Sequence, residues 1–342
     1  MKKIITSCLA IAALAVGVAT TLAQQQRVTT TKQKVGQRIE TRGQASSRLA
    51  SLRPSVAFAV TQPEKPAVTS VVVPGANTMF GGLMVYSDKW QTSESTPGVV
   101  SIQAREGGAI SMVHSNKDML NVKSAVKVNN IVYATAMNLS TYKIYVQEYS
   151  ATSWTCTRNE ETDMVNLASS LACDPTTGKI YGSFFNTETE YWDRFCSYSA
   201  SLGEATDIAN MNRDVHALAF NSEGELYGIW GATGWLVKID KKTGSYVQVG
   251  KTGLNPISVD DYGVNSLAFG NDGALYWSAT YQGVNSKDMR GGLFKIDTAT
   301  GKATKVMDYP NNEGIAGLFA MADKVPDAAP DAVTDINVNF TA

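Results

Sequence analysis

The sequence predicts an all-β fold: a β-propeller of five four-stranded blades over about residues 70–322, closed by a C-terminal strand. Three observations predict it. A pattern of about 48 residues recurs along the chain. Each copy holds four short runs of β-branched and aromatic residues, separated by Gly and Asp turn signals. The opening of one more copy follows the last full one and then breaks off. Four strands in a unit of about 45–50 residues is the signature of a propeller blade. An array of β-sandwiches would need about 100 residues per domain. No amphipathic helix interrupts the units, which argues against an α/β fold.

Residues 1–23 read as a secretory signal. Lys2 and Lys3 give the positive start, and Leu9 to Ala19 is almost wholly apolar. Thr21-Leu22-Ala23 offers small residues before a cut that leaves Gln24 first. The apolar run of about 11 residues is shorter than the roughly 20 of a membrane-spanning helix, and no other run is apolar enough to span. Ile5-Thr6-Ser7-Cys8 mimics a lipoprotein acylation box but precedes the apolar run instead of following it. Loss of the signal takes the net charge from −1 to −3.

Residues 24–62 form a basic, polar extension. Arg27, Lys32, Lys34, Arg38, Arg42, Arg48 and Arg53 face only Glu40, so residues 24–53 carry +6 and the remainder −9. The stretch is read as a solvated arm. Residues 24–53 hold no aromatic residue to stack on a base, so no nucleic-acid partner is expected.

Two copies of the repeat are plain. One runs Ala217-Leu-Ala-Phe220, Glu223-Gly-Glu-Leu-Tyr-Gly228, Trp235-Leu-Val-Lys-Ile-Asp240, Thr243-Gly244. The other runs Ser266-Leu-Ala-Phe269, Asp272-Gly-Ala-Leu-Tyr276, Gly292-Leu-Phe-Lys-Ile-Asp297, Thr300-Gly301. Looser copies share an aromatic landmark, which falls at Phe80, Tyr133, Tyr181, Tyr227 and Tyr276. Ile315-Ala-Gly-Leu-Phe-Ala320 matches the start of a unit with nothing after it. A lone first strand there suits a ring closed by pairing with the first blade, which removes exposed edges. Five blades is the simplest count, and Ser55–Val60 leaves a sixth open.

The tail, 323–342, reads as a linker and one strand. Val325-Pro-Asp-Ala-Ala-Pro-Asp-Ala332 is rich in Pro, Ala and Asp. Ile336, Val338 and Phe340 then alternate with polar residues. One strand makes no stable sheet, so the expectation is a truncated chain or a missing β-sandwich domain.

The strand pattern Leu-Ala-Phe, Gly-x-Leu-Tyr, Leu-x-Lys-Ile-Asp and Thr-Gly resembles that of secreted propellers of the NHL, YVTN and quinoprotein-like repeat type. The linker and strand resemble the opening of a fibronectin-type-III-like domain, as in large secreted proteins of the Bacteroidota. The resemblance covers roughly 250 residues. It implies the fold and an exported protein, in the secreted, outer-surface or periplasmic space. The tryptophan-docking motif of quinoproteins and the WD dipeptide are absent, so no cofactor is implied. The group holds both binders and enzymes, and fold does not choose between them.

The loops between strands two and three, and between strand four and the next strand one, share one face. Three of the former are expected to be long: Ser87–Pro97, Ser183–Arg194 and Ser278–Gly291. They carry Trp90, Tyr191, Trp192, Arg194, Tyr281 and Arg290. Aromatic faces flanked by polar groups suit sugar rings or peptide side chains. Asp260, Asp261 and Glu313 fall on the same face, where paired carboxylates suit acid–base work or a hard cation, although adjacent Asp residues are more often a solvated turn. His216 aligns with Ser169 and Asn265, two residues before the Leu of each first strand, so the three are expected to ring the upper end of the central channel.

With two histidines in the chain and no CxxC, no metal site is expected. Once the signal is lost, Cys156, Cys173 and Cys196 remain. Cys173 and Cys196 take core positions on strands one and three of one blade, about 9–10 Å apart. That is too far for a disulfide, so they are predicted to be unpaired, with Cys173 buried.

Two functional readings follow. The preferred one is a non-catalytic binding or adhesion module, monomeric, for glycan or extracellular protein ligands. The alternative is a propeller-type hydrolase, lyase or lactonase acting on an extracellular carbohydrate or small molecule. No catalytic residue is assigned, because no nucleophile motif is present. The enzymatic reading requires the acidic residues to converge with His216 near the axis.

Overall fold

The computed structural model describes residues 79–87, 97–116, 119–231, 233–257, 263–283 and 289–321. The chain divides into two units, 1–71 and 72–342, and every described residue belongs to the second. The signal, the basic extension, Ser55–Val60, the tail, Trp90, Asp260 and Asp261 lie outside the described residues.

The fold is all-β, with five four-stranded antiparallel sheets. Blade one holds β1 (Met79–Tyr86), β2 (Gly98–Gln103) and β3 (Ile110–Ser115). Blade two is β4 (Asn121–Val128), β5 (Ile131–Met137), β6 (Ile144–Ser150) and β7 (Cys156–Thr162). Blade three is β8 (Ala168–Cys173), β9 (Ile180–Asn186), β10 (Tyr191–Ser199) and β11 (Glu204–Asn210). Blade four is β12 (Val215–Phe220), β13 (Leu226–Trp230), β14 (Trp235–Ile239) and β15 (Tyr246–Lys251). Blade five is β16 (Asn265–Phe269), β17 (Leu275–Gln282), β18 (Met289–Ile296) and β19 (Ala303–Asp308). The last strand, β20 (Gly314–Ala320), pairs antiparallel with β1 and completes blade one. The expected closing strand is therefore present, and the ring has five blades. Among the described residues, no helix is long and apolar enough to cross a membrane.

The innermost strands form the ring: β4 packs on β8, β8 on β12, β12 on β16, β16 on β20, and β20 on β4. They begin at one face, here the upper, and run to the lower. The aromatic landmarks lie in one register on the second strands. Phe80, Tyr133, Tyr181, Tyr227 and Tyr276 stand opposite Ala320, Val126, Ala172, Ala219 and Ala268. A small or β-branched residue on the inner strand leaves room for a ring beside it.

Each interface between blades has its own apolar cluster. Phe80, Tyr276 and Ile315 join blades five and one, and Tyr181, Leu218 and Phe220 join three and four. Hydroxyls stitch neighbouring blades through backbone groups of the inner strands. Thr135 Oγ1 accepts from Ala168 N at 3.1 Å, Ser170 Oγ from Leu218 N at 2.8 Å, and Ser266 Oγ donates to Ile315 O at 2.9 Å. These bonds lock blade to blade where side-chain packing alone would allow sliding.

Candidate functional site

Two of the three loops expected to be long are shorter than the sequence suggested. β9 runs to Asn186 and β10 starts at Tyr191, leaving a four-residue turn in place of the loop Ser183–Arg194. β17 runs to Gln282 and β18 starts at Met289. The short loop of blade four, Gly231–Gly234, is as expected.

The aromatic residues on those strands are largely in the core. Trp192 is 4% exposed and fills a pocket with Ile144 and Leu167, edge-on to Phe185. Its amide donates to Asp214 Oδ1 at 3.0 Å, and its carbonyl accepts from Ser183 Oγ at 2.6 Å. Arg194 donates to Asp207 Oδ1 at 2.6 Å and to the Val165 carbonyl at 2.8 Å, tying β10 to β11 and to the turn before β8. Tyr281 is buried edge-on to Phe294 with its hydroxyl 3.3 Å from Asp308. Tyr191 is half-buried opposite Asn186, and Arg290 is exposed opposite Tyr281.

Ser169, His216 and Asn265 do share a register, at the upper ends of β8, β12 and β16, and all three are buried. The sequence alignment missed the fourth member, Lys123 of β4, also buried. Lys123, Ser169 and His216 each fall in a β-bulge, between Val122/Ser124, Ala168/Ser170 and Val215/Ala217. A bulge turns its extra side chain out of the alternation of the strand. Ser169 is engaged between blades, donating to Val215 O at 2.6 Å with Ser183 O at 3.1 Å. His216 lies against Gly231, where any β-carbon would collide with its imidazole. Asn265 Nδ2 donates to Ile257 O at 3.1 Å.

Among the described residues, three further polar atoms at upper strand ends are buried with no hydrogen-bond partner. They are Asn121 Oδ1, Asn265 Oδ1 and Trp230 Nε1. Arg213 stacks over the Trp230 ring at 5.2 Å. The Glu313 carboxylate accepts from Asn311 N at 2.9 Å and Asn311 Nδ2 at 2.8 Å, within its own turn. Cys173 and Cys196 form no disulfide, as predicted. Cys173 is half-buried where full burial was expected. Burial pushes the Cys196 thiol far up, reinforced by its bond to Asp207, so it is inert as a nucleophile.

One further feature lies in the hairpin turns of both faces among the described residues. Eight hairpin turns share a bond from the amide of the fifth residue to the carbonyl of the first. The fifth residue takes a left-handed conformation. It is glycine at 178, 203, 234, 244 and 301, but Tyr142, Trp154 and Glu190 in the other three. A bulky residue there costs about 1–2 kcal/mol. Trp154 is compensated by stacking on Phe319 at 6.0 Å. Tyr142 is 62% exposed and Leu139 of the same turn 46%.

No family model and no curated protein matches the chain. Solved structures similar to it include one from the nidogen/laminin complex, at 10% identity and a TM-score of 0.44, over 71% of this chain and 97% of that one. A Bacteroides thetaiotaomicron protein of unknown function matches at 18% identity and 0.41, over 71% and 60%. The calcium-binding protein regucalcin of Agrobacterium tumefaciens matches at 10% and 0.39, over 73% and 77%. These likenesses assign no ligand. The chain is a five-bladed β-propeller.

Proposed function

We propose that this chain is an exported binding module, a rigid ring that holds a glycan or an extracellular protein on its upper face. Export is the reading of residues 1–23. The observation that supports binding is the contrast between the two faces. On the lower face, Asp240 and Asp297 accept from backbone amides two residues on, and Asp272 from Ala274 N and the Tyr276 hydroxyl. At the upper ends of the strands, two acceptors and one donor are buried without partners: Asn121 Oδ1, Asn265 Oδ1 and Trp230 Nε1. A buried polar group left unsatisfied costs about 1–3 kcal/mol. A ligand bearing hydroxyls both donates and accepts, so a saccharide answers all three.

The test is titration of the full chain with a panel of soluble polysaccharides and immobilised extracellular-matrix proteins. Wild-type binding is expected, with Asn265→Leu weakening it about tenfold, the loss of one bond to a buried partner. Absence of binding to every member of the panel would sink the reading.

A further inference from the structure

Tyr142 stands apart from the other aromatic rings of the fold. Phe80, Trp192, Trp277 and Tyr281 are packed in the core, and Trp154 is held against Phe319. The Tyr142 backbone is fixed by its turn while most of the residue meets solvent. The turn that carries it is rigid. Tyr142 N donates to Asn138 O at 2.7 Å and Asn138 N to Lys143 O at 2.9 Å. The Asn138 side chain accepts from Ser140 N at 2.9 Å and Thr141 N at 3.2 Å. Fixing the backbone that carries a ring before contact lowers the entropy lost on binding. Glycine would relieve the left-handed strain at no cost in packing, so the fold itself does not require tyrosine here.

The surroundings define the ligand. Ser140 and Thr141 of the same turn are exposed. Lys143 Nζ donates to Glu161 Oε2 at 2.7 Å, and both side chains are about half exposed. Tyr145, half-buried, stands opposite Glu161 on the next strand. The apolar surface is one ring and Leu139, far short of the roughly 800 Å² per partner that a stable protein interface buries. An exposed aromatic ring on a turn that carries exposed hydroxyls, followed by an exposed ammonium–carboxylate pair, offers the chemistry that a single sugar ring needs. Such a ring presents an apolar C–H face with hydroxyls around its edge.

We propose that the turn Asn138–Lys143 is a saccharide contact site, in which a pyranose ring stacks on Tyr142 and its hydroxyls bond Glu161 and Lys143. This deepens the binding reading and rests on it. It adds a second point of contact on blade two, apart from the buried polar atoms on the inner ring. Two contact points on one rigid scaffold favour an extended chain of sugars over a monosaccharide.

The experiment is affinity electrophoresis of the full chain in gels holding β-glucan, xylan, galactomannan or chondroitin sulfate, with collagen- and laminin-coated wells run in parallel. Wild type, Tyr142→Gly and Tyr142→Phe are compared, each with a thermal melt. The expected result is a Tyr142→Gly melting temperature equal to or above wild type, with retention by one polysaccharide reduced at least tenfold. Tyr142→Phe keeps the ring and is expected within about threefold of wild type. Unchanged retention of Tyr142→Gly overturns this proposal alone and leaves the binding reading standing. Retention of wild type by no polysaccharide and no protein overturns both. Binding only to a coated protein, lost in Tyr142→Gly, overturns the saccharide assignment and makes the turn a protein contact.

Discussion

The carboxylate of Asp174 is fully buried and joins two blades. It lies in the turn after β8 and accepts from Thr176 N, Thr176 Oγ1 and Thr177 Oγ1. Lys241 Nζ reaches it from blade four at 2.6 Å while lying over the Phe220 ring. Burial alone would push this carboxyl up. The bonds from Lys241, Thr176 and Thr177 outweigh it and hold the group well below the usual carboxylate range. A folded-state pKa below the unfolded value, about 3.9, means stability that is present above that pH and lost as pH falls beneath it. Asp174→Asn leaves Lys241 without its anion in a mostly buried setting. Removing one partner of a buried pair costs about 3–5 kcal/mol. Lys241 keeps some access to water, so about 3 kcal/mol is expected by urea denaturation at pH 7. The gap between variant and wild type should narrow when the titration is repeated at pH 3. A constant gap across that range would show that the charge is not the source.

The closing strand β20 depends on a close approach that only glycine permits. Gly317 has φ +60, and a β-carbon on it would sit 2.5 Å from Ala125 Cβ on β4. Gly317→Ala therefore combines left-handed strain with overpacking where β20 meets β4. The expected cost is about 2–4 kcal/mol, read from the urea midpoint. Gly273→Ala is the control, since Gly273 shares the positive φ but has nothing within 4 Å of the added carbon. It should cost about 1 kcal/mol. Equal losses at the two positions would exclude the close approach as the cause.

The strands of this ring were legible because Leu-Ala-Phe and Gly-x-Leu-Tyr repeat at a fixed spacing and β-alternation survives in each copy. The hairpin β9–β10 was not. Its turn places Glu190 where blade four uses Gly234, so no Gly or Pro marked it, and the facing ends of two strands read as one long loop. Trp192 and Tyr281 were consequently expected on the surface when they belong to the core. The site is less legible than the fold for a related reason. The bulges at Lys123, Ser169 and His216 exist only in the pairing of two strands. The exposure of Tyr142 follows from a backbone conformation that no tyrosine announces.

Closure turns five weak units into one stable body. Each blade touches only its neighbours, so an open array would melt in stages, as repeat proteins do when coupling weakens. β20 supplies Ala316 and Phe319 to the cluster between blades one and two, and Ile315 and Leu318 to the cluster between five and one. It also accepts the Ser266 hydroxyl bond from blade five. One strand thus joins three blades. Burying side chains of this size contributes about 1.5–3 kcal/mol each, and a kilocalorie shifts the melting temperature of a chain this large by about 2–4 °C. Deleting residues 314–342 is expected to lower the melting temperature by about 10 °C or more and to replace one transition by several, seen as non-coincident tryptophan fluorescence and far-UV circular dichroism. The bare edge of β1 should then pair with another copy, giving a concentration-dependent dimer or aggregate in size-exclusion chromatography. A synthetic peptide of residues 314–321, added in trans, should restore the monomer by strand addition. A deleted chain that melts in one step at the wild-type temperature would mean that the blades hold together without the closing strand.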